Sequence, residues 1–363
     1  MEVIGIVNTF YLASGQLELE GHQPLIDAIN KGGIRDEFFV ADLRIDSTVP
    51  LDLSKFASQV EVLNGAQYAL ELASNHTQIF SVPYLESYSR TNLLESNTRK
   101  IYCGYAPLWS YDTRLHFELD AYKVMDYLFT TSSNADDGYV RSGVSSPNLI
   151  SIKDPTLAYL NKSCPKSVDL LWTPHWTQSW YGFPNGYSSF IWATSAIFDY
   201  ASKNPKKSVV IRAHPYLSTV ISDFKMRGLI PESPYGLAIA DWERLLALPN
   251  VNNSSNTIYD DIINAKRIIS DPSTVMIYAA YAGVNAAICY SEGSPPLSSL
   301  GSLALQSSIK IGNSNDLTNH LNNTQGNLEF TEKQYEARRM LVDELTLDRD
   351  DVSLHWEKFH IRT

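Results

Sequence analysis

Short apolar runs, each stopped by a proline, a glycine or a polar turn, alternate with stretches of helix formers along this chain, and that alternation constrains its fold more than any other feature. Phe38-Phe39-Val40, Val60-Glu61-Val62, Gln78–Val82 before Pro83, Tyr127–Thr131 and Leu149–Ile152 read as strands, and Lys100–Pro107 repeats the pattern of apolar strand, small residue and proline. Asp169–Trp172, Val209–Ile211, Ile268-Ile269, Ala286–Tyr290 and Ile309–Ile311 continue the series. Between them, Gly21–Lys31, Gly65–Ala73, Ser188–Lys203, a segment beginning near Val275, Asn315–Leu321 and Thr331–Leu345 read as helices. A further helix is expected from the Ser132-Ser133-Asn134 cap through Tyr139 and Arg141. Val3–Val7 is expected to be the first strand and Asn8–Glu20 a turn-rich crossover. Strands alternating with helices imply an α/β fold, parallel sheets covered by helices, and not a bundle or a barrel of strands.

With 363 residues the chain exceeds one typical core, so two domains are expected, and 44% apolar residues suffice to fill both. The Asn161–Ser167 stretch, around Cys164-Pro165-Lys166, is the best linker. It divides residues 1–163 from 164–345, with 346–363 a tail expected to cross back to the first domain, where Trp356 and Phe359 could anchor one apolar face. A net charge of -11 leaves no positive balance to neutralise a nucleic-acid backbone, so nucleic acid is excluded as a partner and any anionic ligand must be met locally. Cys103, Cys164 and Cys289 are too few and too scattered for a disulfide framework, which fits a reducing, cytoplasmic compartment. Met1–Val7 lacks the basic start and long apolar core of a signal peptide, and no apolar run has the length of a membrane span. Peripheral contact with the inner face of the cell membrane is left open.

Chemistry concentrates in the second half. The run Val209–Ile211 is closed by Pro215, which puts Arg212 and His214 at a strand's carboxyl end, where open parallel sheets bind ligands. In Arg267–Val275 a second strand turns at Asp271-Pro272, and Ser273 and Thr274 fall in the N-cap region of the next helix. Hydroxyls and free N–H groups at a helix start form an anion site, so Arg212, His214, Ser273 and Thr274 are the candidates for holding a donor phosphate.

The blocks Leu171–Thr177, Tyr187–Phe190, Val210–Pro215, Tyr259–Asp261 and Ser270–Thr274, in that order, resemble the signatures of the CDP-glycerol glycerophosphotransferase family, the teichoic-acid polymerase type. The first half resembles it in outline only, through Thr130–Ser132 and Lys153–Pro155. The His-Pro and Ser-Thr pair is also similar to the motifs of bacterial CMP-sialic-acid and Kdo transferases. Both resemblances imply a GT-B fold, two Rossmann-like domains with the active site in a cleft between them. They also imply a cytidine-linked donor, CDP or CMP, and transfer of a glycosyl or polyol-phosphate group to a hydroxyl of a glycan, lipid-linked or teichoic-acid-like acceptor. One departure matters: where the phosphotransferase family carries a His-Gly-Thr-Pro block, this chain has Cys103–Pro107, with no histidine.

The group that takes the acceptor proton therefore stays open among His175, Asp136, Asp137, His116 and Asp112. Each candidate also has a structural alternative: a core histidine for His214, a plain helix cap for Ser273 and Thr274, an interface turn for His175, and solvated or helix-start acids for Asp136, Asp137, Asp260 and Asp261. No Asp-x-Asp motif suits a bridging metal, so neither metal nor cofactor is expected. Two rival classes are a nucleotide-sugar epimerase of GT-B fold and a non-catalytic binding module of a polysaccharide-assembly protein.

Overall fold

The computed structural model describes residues 8–13, 23–28, 37–42, 60–63, 77–80, 99–103, 109–110, 122, 125–132, 149–177, 187–227, 231–291, 294–323, 330–347 and 349–350. It divides into two compact units, one comprising Met1–Ala158 with Leu345–Thr363 and the other Tyr159–Glu344.

The first unit holds a parallel sheet of seven strands: β1 (Asn8–Ala13), β2 (Glu37–Asp42), β3 (Val60–Leu63), β4 (Thr77–Phe80), β5 (Lys100–Cys103), β6 (Tyr127–Thr130) and β7 (Leu149–Ser151). Their order is β3-β2-β1-β4-β5-β6-β7. Asn8–Ala13, expected to be turn-rich, is instead strand β1, paired in parallel with β2 and β4. The physical reason lies in Thr9, Phe10, Tyr11 and Leu12, β-branched, aromatic and apolar residues that suit a pleated ladder better than a turn. Residues 3–7, the helix expected at 65–73, the helix through 139–141, and Trp356 and Phe359 lie outside the described residues. The expected helix at 21–31 is described at 23–28. Within this unit the Lys153 N–H donates to the Asp350 carbonyl at 3.1 Å, and the Arg349 guanidinium to the Thr131 carbonyl at 2.5 Å.

The second unit repeats the plan with β8 (Leu170–Thr173), β9 (Val209–Ile211), β10 (Val251–Asn253), β11 (Arg267–Ser270), β12 (Asn285–Cys289) and β13 (Ile309–Ile311). All are parallel, in the order β10-β9-β8-β11-β12-β13. Its helices are α1 (Phe190–Lys203), α2 (Pro215–Met226), α3 (Pro234–Leu246), α4 (Ile258–Asn264), α5 (Thr274–Ala282), α6 (Ser299–Gln306), α7 (Ser314–Asn322) and α8 (Glu332–Leu345). Leu170, Leu171 and Trp172 are fully buried, because helices cover both faces of the sheet and the central strand must be apolar throughout. Trp172 packs edge-on to Trp242 at 5.7 Å, and Phe190 meets the same ring at 5.4 Å.

Four elements here went unread in the sequence: α2, α3, α6 and β10. Pro215 and Pro234 stop what precedes them, but each also opens a helix, since a first-turn proline has no N–H to lose; Ser233 caps α3 through the Gly236 N–H. Strand β10 hides in the Asn/Ser-rich run because an edge strand needs only Val251 inward, leaving Asn252 and Asn253 exposed. In both sheets the order runs outward from the first strand and then resumes on its other side. The crevice at the carboxyl ends of β8 and β11 is therefore the switch point where a doubly wound sheet takes ligands.

Candidate functional site

The chain leaves β8 through Pro174, His175 and Trp176, leaves β9 through Arg212 and His214, and leaves β11 through Asp271, Pro272 and Ser273. These three exits sit side by side because β9, β8 and β11 are neighbours in the sheet.

Asp271 joins two of them. Its carboxylate, fully buried, accepts the His175 N–H at 2.7 Å and the Ser189 N–H at 3.0 Å. The latter N–H belongs to the N-cap of α1, so the helix's positive end faces the charge. Ser188 extends the brace: its hydroxyl donates to the His175 carbonyl at 2.6 Å, and its N–H to the Thr177 carbonyl at 3.2 Å. Burial pushes the Asp271 carboxyl up to about 6, against the hydrogen bonds from Ser189, His175 and Ser188 that pull it down. The sequence reading treated this residue only as a turn former. The available signal was an aspartate directly after a buried strand, where a side chain with no water to face must find backbone donors.

The imidazoles of His175 and His214 lie with ring centroids 4.8 Å apart. His214 is the N-cap of α2, and its Nδ1 accepts the Tyr216 N–H at 3.2 Å. The Thr177 N–H points at Nδ1 of His175 from 3.4 Å, with the Thr177 hydroxyl 3.1 Å from the same nitrogen. In both rings Nδ1 acts as acceptor, which leaves the proton on Nε2 in the neutral form. Burial pushes His214 down to about 4; burial and the neighbouring His214 push His175 well below the ordinary imidazole range. The pair is thus two neutral N–H donors at pH 7. Tyr187 stacks on His175 at 5.1 Å, and the rings of Trp176 and the exposed Tyr216 lie 5.5 Å apart.

Ser273 is the N-cap residue of α5, yet its side chain makes no capping hydrogen bond. The hydroxyl is therefore not committed to its own helix, unlike those of Thr257, which accepts the Asp260 N–H to cap α4, and Ser298, which accepts the Gly301 N–H to cap α6. Thr274 is the first residue of α5. The far end of α5 is closed by Gly283 in the left-handed region at φ 67°, with Arg338 of α8 donating from Nε to the Ala280 carbonyl at 2.9 Å.

Arg212 has a structural anchor. Its NH1 donates to the Asn256 carbonyl at 2.6 Å and to the buried Asp261 carboxylate at 3.1 Å, pinning the turn between β10 and α4 beneath the β9 exit. Asp260, the other member of that acidic pair, accepts from the Thr257 hydroxyl at 2.8 Å in the first turn of α4. Of the sequence candidates, His175, His214, Ser273, Thr274 and Arg212 gather at the carboxyl edge of the second sheet, whereas His116, Asp136, Asp137 and Asp112 lie outside the described residues. Among the described residues no group of three or more His, Cys, Asp and Glu could hold a metal ion, and no helix is long and apolar enough to cross a membrane.

No protein-family model and no curated protein matches this sequence. Solved structures do match in shape. The wall teichoic acid polymerase TagF superposes with a TM-score of 0.60 at 12% identity, over 98% of this chain and 88% of that one. The chain has a GT-B fold. The S. aureus MnaA-UDP co-structure is similar at a TM-score of 0.56 and 11% identity, over 98% of this chain and 96% of its own. A UDP-N-acetylglucosamine 2-epimerase from Listeria monocytogenes is similar at 0.55 and 11%, over 99% and 96%. The α/β architecture of two Rossmann-like domains expected from the sequence is borne out.

Proposed function

We propose that this GT-B protein is a transferase whose nucleotide-activated donor lies with its phosphates at the carboxyl edge of the second sheet. The donor is cytidine-linked, CDP or CMP, and a glycosyl or polyol-phosphate group passes to a hydroxyl of a glycan or teichoic-acid-like acceptor. One observation carries the reading: two neutral imidazole N–H donors and a serine hydroxyl not used by its own helix gather at the switch-point edge, beside the amino end of α5. Such donors suit phosphate oxygens. The cytidine assignment rests on the sequence blocks.

In this mechanism His214 Nε2 and the Ser273 and Thr274 hydroxyls hold the nucleotide phosphate, while Arg212 keeps the β9 exit in place. His214 stays neutral, with Nδ1 held by the Tyr216 N–H, and its Nε2–H donates to the phosphate oxygens on which charge accumulates as the nucleotide leaves. His175, with Nδ1 accepting and Nε2 protonated, works as a second donor and not as the base. The candidates for taking the acceptor proton are then Asp136, Asp137, His116 and Asp112.

Thermal unfolding with CMP, CDP, UDP and GDP tests the donor class, because a ligand that binds only the folded state raises stability with its affinity. Cytidine nucleotides are expected to stabilise most, and His214→Ala to weaken CDP binding by about ten- to a hundredfold with the melting temperature little changed. Unaltered affinity in His214→Ala removes the phosphate site. Stabilisation by UDP alone, with turnover of free UDP-N-acetylglucosamine, moves the protein to the epimerase reading, which the fold shared with the Listeria enzyme keeps as the second choice.

A further inference from the structure

Tyr216 is the second residue of α2, and its side chain is 58% exposed. Its backbone is fixed, because the Tyr216 N–H donates to Nδ1 of His214 at 3.2 Å, so the phenol ring stands in a set relation to the imidazole whose Nε2 is the phosphate donor proposed above. The Tyr216 ring lies 6.1 Å from that imidazole and 5.5 Å from Trp176, and Trp176 lies 6.0 Å from His214. The three planes are inclined to one another by 31°, 39° and 42°, so none meets another edge-on. Tyr216 is the outermost of the three, since Trp176 and His214 are half-buried. An aromatic ring left in water beside other rings offers the kind of surface that a flat ligand gains by covering. The first hydroxyl beyond it on α2, that of Ser218, is turned back on its own helix and donates to the Pro215 carbonyl at 2.9 Å.

We propose that Tyr216 is the stacking platform for the base of the donor nucleotide, with Trp176 behind it. This role depends on the phosphate site proposed at His214, and not on which pyrimidine the donor carries. Continuity decides the occupant: one pentose separates a base from its phosphate, and one proline separates Tyr216 from His214, so a ligand whose phosphate meets Nε2 has its base within reach of the phenol ring. A base also suits the chemistry of the patch, since its face is apolar and its edge can stay in water. A sugar ring, by contrast, needs polar partners around it, and Ser218 spends its hydroxyl proton on Pro215. Stacking tolerates any base, because every base has a π face. Tyr216 therefore supplies affinity, and the choice of cytosine over uracil belongs to groups that reach the base edge.

The test is calorimetric titration of the full chain with CDP, UDP and pyrophosphate. Tyr216→Ala is expected to weaken CDP and UDP alike by about ten- to a hundredfold and to leave pyrophosphate affinity unchanged. Its melting temperature should match the parent's, because the ring is exposed. Tyr216→Phe, which keeps the ring, is expected to bind all three as the parent does. The base protons of bound CDP should shift upfield in the parent and in Tyr216→Phe more than in Tyr216→Ala, because the face of a stacked ring shields them. Unchanged nucleotide affinity in Tyr216→Ala, or an equal loss of pyrophosphate affinity, overturns the platform. His214→Ala separates this role from the phosphate site beneath it. Pyrophosphate binding that survives His214→Ala, or a parent that binds neither nucleotide, removes the phosphate site and the platform with it. Pyrophosphate lost in His214→Ala, beside nucleotide affinity kept in Tyr216→Ala, removes the platform alone.

Discussion

Replacing Asp271 by Asn isolates the buried carboxylate that ties the His175 turn to the start of α1. Burial raises this carboxyl from 3.8 to about 6. A group whose folded-state pKa lies above its unfolded value stabilises the fold fully below the unfolded pKa, and that stability is lost as pH rises through the folded one. The window therefore runs from about pH 4 to pH 6, and a shift of about two units corresponds to roughly 3 kcal/mol across it. Asp271→Asn has no such titration. It also loses one accepted hydrogen bond, since an amide offers one oxygen where the carboxylate offers two, a constant cost of about 1–3 kcal/mol. His214 and His320, both depressed to about 4, gain stability over a similar range, but they are common to both proteins and cancel in the difference. Urea unfolding of parent and variant at half-unit steps from pH 4 to pH 8 should show the variant gaining on the parent by roughly 3 kcal/mol between pH 4 and 6, then holding a constant offset. Parallel curves, or a variant that falls behind as pH rises, would refute the assignment of a strained buried carboxylate.

Two further substitutions separate ligand hydroxyls from caps and test the closure of α5. Ser273→Ala should leave the melting temperature nearly unchanged, because its hydroxyl caps nothing, whereas Thr257→Ala, which removes an observed cap, should cost about 1 kcal/mol; equal losses in thermal melts would return Ser273 to the role of an ordinary cap. Gly283→Ala should destabilise by at least about 1–3 kcal/mol in denaturant titrations, since the residue sits at φ 67° and an added Cβ would lie 2.2 Å from the Arg338 guanidinium; a neutral result would mean that α8 does not pack on the end of α5 as described.

Local chemistry made much of this architecture readable. A buried parallel strand must be apolar on both faces, so Val209–Ile211, Ile268-Ile269 and Ile309–Ile311 announce themselves without reference to anything distant, and the α/β class follows from their alternation with helices. The same locality explains the misreadings: Pro215 is a stop signal and a start signal at once, and Val251-Asn252-Asn253 is a strand only because β9 lies beside it. At the site, the sequence singled out His175, Arg212, His214, Ser273 and Thr274 as residues at strand ends. It contained nothing to say that Arg212 is anchored by Asp261, or that Ser273 leaves its own helix uncapped. Nor could it assign Asp271, whose partners His175 and Ser189 are 96 and 82 residues away and meet it only when β8 and β11 become neighbours across the switch point. The identity of a strand or a cap is decided within a few residues of backbone. The protonation state and partner of a buried polar group are decided by what the completed sheet brings against it and by the water it shuts out.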